Sequence, residues 1–225
     1  MDTLNYTSLS DQAYDKLKSA IIERKLAPGT KLNMQEIADT FGVSRGPVSE
    51  AFIRLEGDGL LERKNRVGTF VVPLTKSKLL EMFEARYMVE EWAIPEIVNN
   101  ISKPDFDYFE NLIKQSKHLI GNATEDTFDF YSFIQLDHDF HAHLMELCRN
   151  ETIIKFYTSL NSHVQIARVY SSQAFERSKE GQHEHEEMLQ VLRERDADRA
   201  CEIFREHLRK SEEGILQLFG DKEVL

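Results

Sequence analysis

Ala13, Tyr14, Leu17, Ala20 and Ile21 recur at the three- and four-residue spacing of a helix with one apolar face, and Ser10 precedes them as an N-cap. Leu26-Ala27-Pro28-Gly29-Thr30 breaks the pattern. Asn33 and Glu36 have the spacing of a capping box, which starts a short second helix through Ile37 and Ala38. Phe41-Gly42-Val43 makes a tight turn, and Ser44 caps a third helix carrying Val48, Ala51, Phe52 and Leu55 inward. Gly57-Asp58-Gly59 stops that helix. Leu60-Leu61-Glu62-Arg63 and Val67-Gly68-Thr69-Phe70-Val71-Val72 then read as two short strands around the basic tip Lys64-Asn65-Arg66.

From residue 76 the spacing is helical with few breaks and predicts helices near 77–99, 104–121, 126–148, 151–173, 177–194 and 196–218. Ser102-Lys103-Pro104, Gly121-Asn122 and Arg149-Asn150 separate them, Gly181 is a weak point, and Asp196 is a cap. Pro95 falls late in the first of these helices, which should kink or end early there. Pro73-Leu74-Thr75 reads as a linker. The fold class is therefore mainly α: a winged helix-turn-helix over 1–73, then an all-α bundle of six helices over 74–225.

The chain has 225 residues, 41% hydrophobic and 30% charged, a composition that excludes a disordered or collagen-like chain. No segment reaches the roughly 18 uncharged apolar residues that span a bilayer, and the first residues lack a signal-peptide pattern, so the expectation is a cytoplasmic protein with no membrane partner. Cys148 and Cys201 lie in helical patterns and read as small core residues. The lone Trp92 and Phe128, Phe130, Phe133 and Phe140 read as core on the same grounds.

The net charge of -11 argues at first against nucleic acid, but the charge is unevenly spread. Residues 1–75 hold 10 Lys+Arg and 10 Asp+Glu, leaving 18 against 29 for the rest, and all eight histidines follow residue 76. Two domains of different chemistry account for this. In the first, the third helix begins Ser44-Arg45-Gly46-Pro47-Val48-Ser49, the end that a helix-turn-helix presents to the major groove. Arg45 can grip a guanine edge with two hydrogen bonds, whereas Ser44, Ser49 and the first backbone amides suit phosphates. Arg63, Lys64 and Arg66 would bring the wing onto phosphates or into the minor groove. The plainer alternative is a set of solvated surface charges.

Leu26-Ala27-Pro28-Gly29-Thr30-Lys31-Leu32, Ala38 through Val48, Arg54-Leu55-Glu56-Gly57-Asp58-Gly59-Leu60-Leu61 and Gly68-Thr69-Phe70-Val71 closely resemble, in order, the winged helix-turn-helix of GntR-family bacterial transcription regulators. The resemblance implies DNA contacts at Arg45 and Arg54, with Arg54 reaching a phosphate, and a wing turn at Gly68. Ser49 departs from the family pattern, which commonly has an arginine there that helps hold the operator.

In the second domain, Asp137 and His141 fall inside the apolar stripe of Phe130, Phe133, Ile134, Phe140, Leu144 and Leu147. His185 is in register with Met188, Leu189 and Leu192, and His207 with Ala200, Ile203, Phe204 and Leu208. Three imidazoles and a carboxylate aimed into a bundle suit a divalent transition metal such as Zn, Ni or Mn. Each residue alone is as well read as a hydrogen-bonded core residue. His143 and His163 also fit inward stripes, so periodicity does not choose among the histidines; His138 and His183 read as peripheral and His118 as surface.

Glu84-Ala85-Arg86-Tyr87-Met88-Val89-Glu90, Asp137-His138-Asp139-Phe140-His141, Glu184 through Leu189 and Glu206-His207-Leu208 resemble the FCD effector-binding domain of the FadR branch of that family, in its shorter, VanR-like form with six helices. The resemblance implies metal ligands at Asp137, His141, His185 and His207 and a small-carboxylate effector near them, with Arg86 where an arginine often meets it. Arg86 can equally pair with Glu90 one turn on. Arg168 offers a second carboxylate clamp or a counter-charge for Asp137. The leading reading is a non-enzymatic, ligand-responsive regulator, most simply a repressor, that binds a palindromic operator in double-stranded DNA as a homodimer. The rivals are a metal-dependent hydrolase using the Asp/His3 site and a metal-free dimerisation module.

Overall fold

Ser8, two residues before Ser10, caps the first helix, α1 (Leu9–Ile22), because Asp11 stands three residues after it and closes a reciprocal capping box. The structure, a computed structural model, describes residues 8–23, 25–169 and 174–224, without the side chains of 161–169 and 174. The chain divides into two compact units, Met1–Leu74 and Thr75–Leu225.

In the first unit α1 packs on α3 (Arg45–Gly57), burying Ala13, Leu17 and Ile21 together with Val48, Phe52 and Leu55. Between them in the chain comes α2 (Met34–Phe41), where Asn33 accepts from the Gln35 amide at 3.0 Å. Glu36 accepts from the Asn33 side chain at 2.8 Å, a side-chain contact that stands in place of the reciprocal backbone bonds of the capping box that the spacing predicted. Gly42 ends α2 at φ 67, a left-handed conformation that costs glycine no Cβ clash, and the Val43 amide closes back on the Ala38 carbonyl. The wing is β2 (Leu61–Lys64) paired antiparallel with β3 (Gly68–Val71). A third strand, β1 (Lys31–Leu32), pairs on the other side of β3 and gives the order β1-β3-β2.

The second unit contains α4 (Lys76–Asn100), α5 (Lys103–Gly121), α6 (Phe130–Glu146), α7 (Glu151–Val169), α8 (Ala174–Glu194) and α9 (Ala197–Phe219), all helical as the spacing predicts. Their shared core includes Ile94, Phe109, Phe140, Leu144, Leu192 and Phe204. No described helix is long and apolar enough to cross a membrane. Three details differ from the sequence reading. First, α4 does not end early at Pro95 but continues to Asn100: the proline and Glu91, whose carbonyl loses its helical partner, both lie on the exposed face, where water can satisfy that carbonyl. Second, Trp92 is 49% exposed, not core, beside Met88 at 70% on the same face of α4. Third, α6 starts at Phe130, where Asp129 accepts from the Ser132 amide. Phe133 and Phe140 are buried, whereas Phe128 and Phe130 are half-buried, and Phe128 packs on Phe133 and Phe175. Cys148 is buried, Cys201 is half-buried, and both are free thiols.

Candidate nucleic-acid interface and metal centre

Ser44 holds the N-cap position of α3 in extended conformation, exposed and with no side-chain bond to the helix it starts. Arg45 follows it, also exposed, at the first helical position. Ser49, one turn on, is half-buried. At the far end of α3, the Arg54 guanidinium lies 3.9 Å from the Tyr14 ring centroid and donates to Asp11 at 2.6 Å. On the wing Arg63 pairs with Glu56 at 3.0 Å and Lys64 with Glu62 at 3.4 Å. Arg45 and Arg66 make no ion pair among the described residues. Both therefore offer unneutralised charge on this surface. Arg66 is held at the wing tip at φ 61, unusual for a side-chain-bearing residue, by the turn that the Val67 amide closes on the Lys64 carbonyl. Gly68 permits the return strand: its φ is 142, and a Cβ there would fall 2.6 Å from the Lys31 Cε.

In the second unit, three helices contribute one imidazole each to a single point: His141 from α6, His185 from α8 and His207 from α9, exposed by only 1%, 3% and 3%. Their candidate ligand atoms lie within 4.8 Å of one another. The Nε2 of His141 is 3.2 Å from that of His207 and 3.3 Å from that of His185. His185 stacks on Phe140 with ring centroids 4.3 Å apart, which fixes its plane. Asp137, buried one turn before His141, places Oδ1 3.6 Å from the His185 Nε2. Burial, aided by the other two rings and Arg86, holds the His141 imidazole well below its ordinary pKa despite Asp137, so the ring is neutral and its lone pair available.

These donors fit a divalent transition metal. Two nitrogens each about 2.1 Å from one ion lie about 3.0 to 3.4 Å apart in octahedral or tetrahedral coordination. Hydrogen bonding alone serves the cluster poorly, because a proton on the central His141 Nε2 can point at one neighbouring nitrogen but not fully at both. His141 Nδ1 is buried with no hydrogen-bond partner among the described residues.

Arg86, on α4, is 1% exposed and forms the pair with Glu90 that the i,i+4 spacing allows, through Nε at 3.0 Å and Nη2 at 2.9 Å. Nη2 also donates to the Tyr157 hydroxyl at 3.1 Å. Burial opposes the Arg86 charge, but Tyr157, Glu90 and Asp137 outweigh it and raise its pKa above the ordinary arginine value. Nη1 remains buried and without a hydrogen-bond partner among the described residues, as does Glu90 Oε2. The side chains of Arg168 and His163 lie outside the described residues. His143 turns away to Asp105 and Glu146, His138 is half-buried, and His118 and His183 are exposed.

Sequence reasoning missed the group behind His207. Glu184 on α8 accepts from His207 Nδ1 at 2.7 Å and from Arg177 at 3.0 and 2.8 Å. Burial would raise the Glu184 carboxyl, but the hydrogen bonds from His207 and Arg177 prevail and hold it at about 2. Glu184 lies in register with buried Met188 and Val191, but spacing along α8 does not show that its carboxylate meets His207 on α9.

Residues 9–71 match the family described as bacterial regulatory proteins, gntR family, and residues 81–210 match the FCD domain. The chain is similar to the uncharacterized HTH-type transcriptional regulator YdhC of Bacillus subtilis (strain 168), 26% identical over 189 residues, 84% of this chain and 83% of that one. It is also similar to the HTH-type transcriptional repressor RspR of Escherichia coli (strain K12), 24% identical over 210 residues, 93% of this chain and 90% of that one. The solved structure of E. coli McbR/YncC superposes with a TM-score of 0.83 at 19% identity, covering 96% of this chain and all of that one, a likeness of fold.

Proposed function

The chain belongs to the gntR family of bacterial regulatory proteins, with an FCD domain behind its winged helix, and is thus a DNA-binding transcriptional regulator; we propose that it is a repressor that senses a small carboxylate at a metal site in the helical unit. The observation that carries this reading is the convergence of the His141, His185 and His207 ligand atoms within 4.8 Å, buried in a helical interior. Those three residues with Asp137 would hold a divalent ion, Zn, Ni or Mn. When bound, the ion supplies a Lewis-acidic point that attracts an oxyanion. Arg86 keeps one charged donor, Nη1, in reserve for the carboxylate, while Glu90 and Tyr157 fix the rest of its guanidinium.

The repressor assignment draws on RspR, which is named as one. For DNA, Arg45 would read a base edge from the start of α3 while Ser44 and Ser49 meet phosphate there. Arg66 would enter from the wing at Gly68, with Arg63 and Lys64 beside it, and Arg54 would exchange Asp11 for a phosphate. A palindromic operator calls for a two-fold dimer, and the face of α4 that exposes Met88 and Trp92 suits the helical unit's side of that seam. Effector binding would release DNA only in so far as the effector favours the dimer arrangement that does not fit the operator.

A hydrolase is the weaker reading. Glu184, the carboxylate nearest His207, is engaged by Arg177 as well and is not poised as a general base. The test is elemental analysis of protein purified without a histidine tag. Stoichiometric transition metal, lost on mutation of His141, supports the reading; a protein that takes up none would leave the helical unit a dimerisation module.

A further inference from the structure

Arg177 opens toward Glu184 seven residues along α8, a span that two turns of helix bring to one face. Its Nη1 and Nη2 donate to the two carboxylate oxygens at 3.0 and 2.8 Å, and Nη2 also donates to Ser211 Oγ on α9 at 3.3 Å. Lys210 Nζ adds a contact of 3.4 Å to Glu184 Oε1. Two mid-helix glycines border the guanidinium: a Cβ on Gly181 would touch Arg177 Nη1 at 3.7 Å, and one on Gly214 would touch Arg177 Cδ at 3.8 Å. Both glycines thus let the Arg177 side chain run close to the backbone of α8 and α9.

The carboxylate has two fixed partners on the arginine side and one on the imidazole side. A carboxylate oxygen accepts, so His207 Nδ1 is the donor in the 2.7 Å bond. The ring's other nitrogen, Nε2, is the atom that lies 3.2 Å from the His141 Nε2. We propose that Arg177 and Glu184 are positioning residues for the metal centre: Arg177 clamps Glu184, and Glu184 fixes both the tautomer and the rotation of His207, so that Nε2 presents its lone pair to the ion before the ion arrives. This rests on the metal reading above for its purpose, though the tautomer itself does not. Outer-sphere carboxylates of this kind fix ring orientation and raise the basicity of the ligand.

Two measurements on the full-length protein test it. Long-range proton–nitrogen correlation on the metal-free wild type reads the tautomer of His207 directly. A proton on Nδ1 is expected, and a proton on Nε2 overturns the proposal. Zinc affinity, measured in competition with a chromophoric chelator, is then compared for wild type, Glu184→Ala, Glu184→Gln and Arg177→Gln. Glu184→Ala should weaken zinc binding by about 10- to 100-fold. Glu184→Gln should recover part of that loss, since its amide oxygen still accepts from Nδ1–H, and Arg177→Gln should fall between the wild type and Glu184→Ala. Cobalt(II) put in place of zinc should show a shifted visible absorption band in Glu184→Ala, a change that a general loss of stability would not produce. Wild-type zinc affinity and an unshifted cobalt band in a folded Glu184→Ala protein would overturn the proposal. A wild type that binds neither metal would instead remove the metal reading, leaving the tautomer measurement to judge the clamp. Should Glu184→Ala fail to fold, Glu184→Gln and the tautomer remain decisive.

Discussion

The Nε2 atoms of His141 and His207 lie 3.2 Å apart although 66 residues separate them in the chain. Nothing local holds them there. They meet because α6 and α9 bury their apolar stripes in one core, and each histidine interrupts its stripe at the same depth. Three ring nitrogens facing one another at 3.2 and 3.3 Å cannot all satisfy each other by hydrogen bonds, so the cluster is suited to a ligand that engages all three.

His141→Ala should remove metal binding and the stability that comes with it. At a free metal concentration one hundredfold above Kd, an ion bound only by the folded state adds about 2.7 kcal/mol. Thermal unfolding with and without metal should show that increment in the wild type and none in His141→Ala. An equal rise in both would place the ion elsewhere.

Arg86 separates structural from effector roles only if it is replaced with care. Arg86→Met strands the buried Glu90 carboxylate and should cost roughly 3 to 5 kcal/mol of stability, measured by urea unfolding. Arg86→Lys keeps a cation for Glu90 but loses the planar fork and Nη1. It should fold with a much smaller loss while the carboxylate-induced thermal shift falls sharply. A full carboxylate response in Arg86→Lys would confine Arg86 to its pair with Glu90.

Arg45→Ala should weaken operator binding by about 1 to 3 kcal/mol and relax preference at the base it meets. Competition with single-base operator variants checks this. Equal weakening on every sequence would make Arg45 a phosphate contact.

Met88→Asp combined with Trp92→Arg should convert the proposed dimer into folded monomers, since both side chains are exposed within one chain. Sedimentation velocity distinguishes the two states. An unchanged dimer would move the seam off this face of α4.

The helices were legible because each one long enough to pack carries its apolar residues at the period of a helix, and that period survives every break in the chain. Strand β1 was not legible, because two residues display no alternation; its place follows from the Lys31↔Phe70 and Leu32↔Thr69 pairing with β3. Trp92 misled because aromatic residues are usually buried, whereas its position four residues after exposed Met88 puts it on the outer face between buried Val89 and Ala93. Pro95 misled because the cost of a helical proline depends on whether the carbonyl one turn earlier can reach water, and exposure of Glu91 is a tertiary fact. His185 and His207 were visible as polar residues in apolar stripes. Glu184 sits in register with buried Met188 and Val191 too, but its bond to His207 joins α8 to α9 and leaves no periodic trace.

The central claim is that one molecule couples the helical site to DNA. The most direct measurement is the affinity of full-length, metal-loaded protein for the short inverted repeat it retains from fragments of its own genome, in the absence and presence of a panel of short mono-, di- and tricarboxylates at constant salt. The account expects one of them to change that affinity by about 5- to 150-fold, the span of a coupling free energy of about 1 to 3 kcal/mol, and expects the change to vanish when the metal is stripped. Tight operator binding that no carboxylate alters, with or without metal, would contradict it.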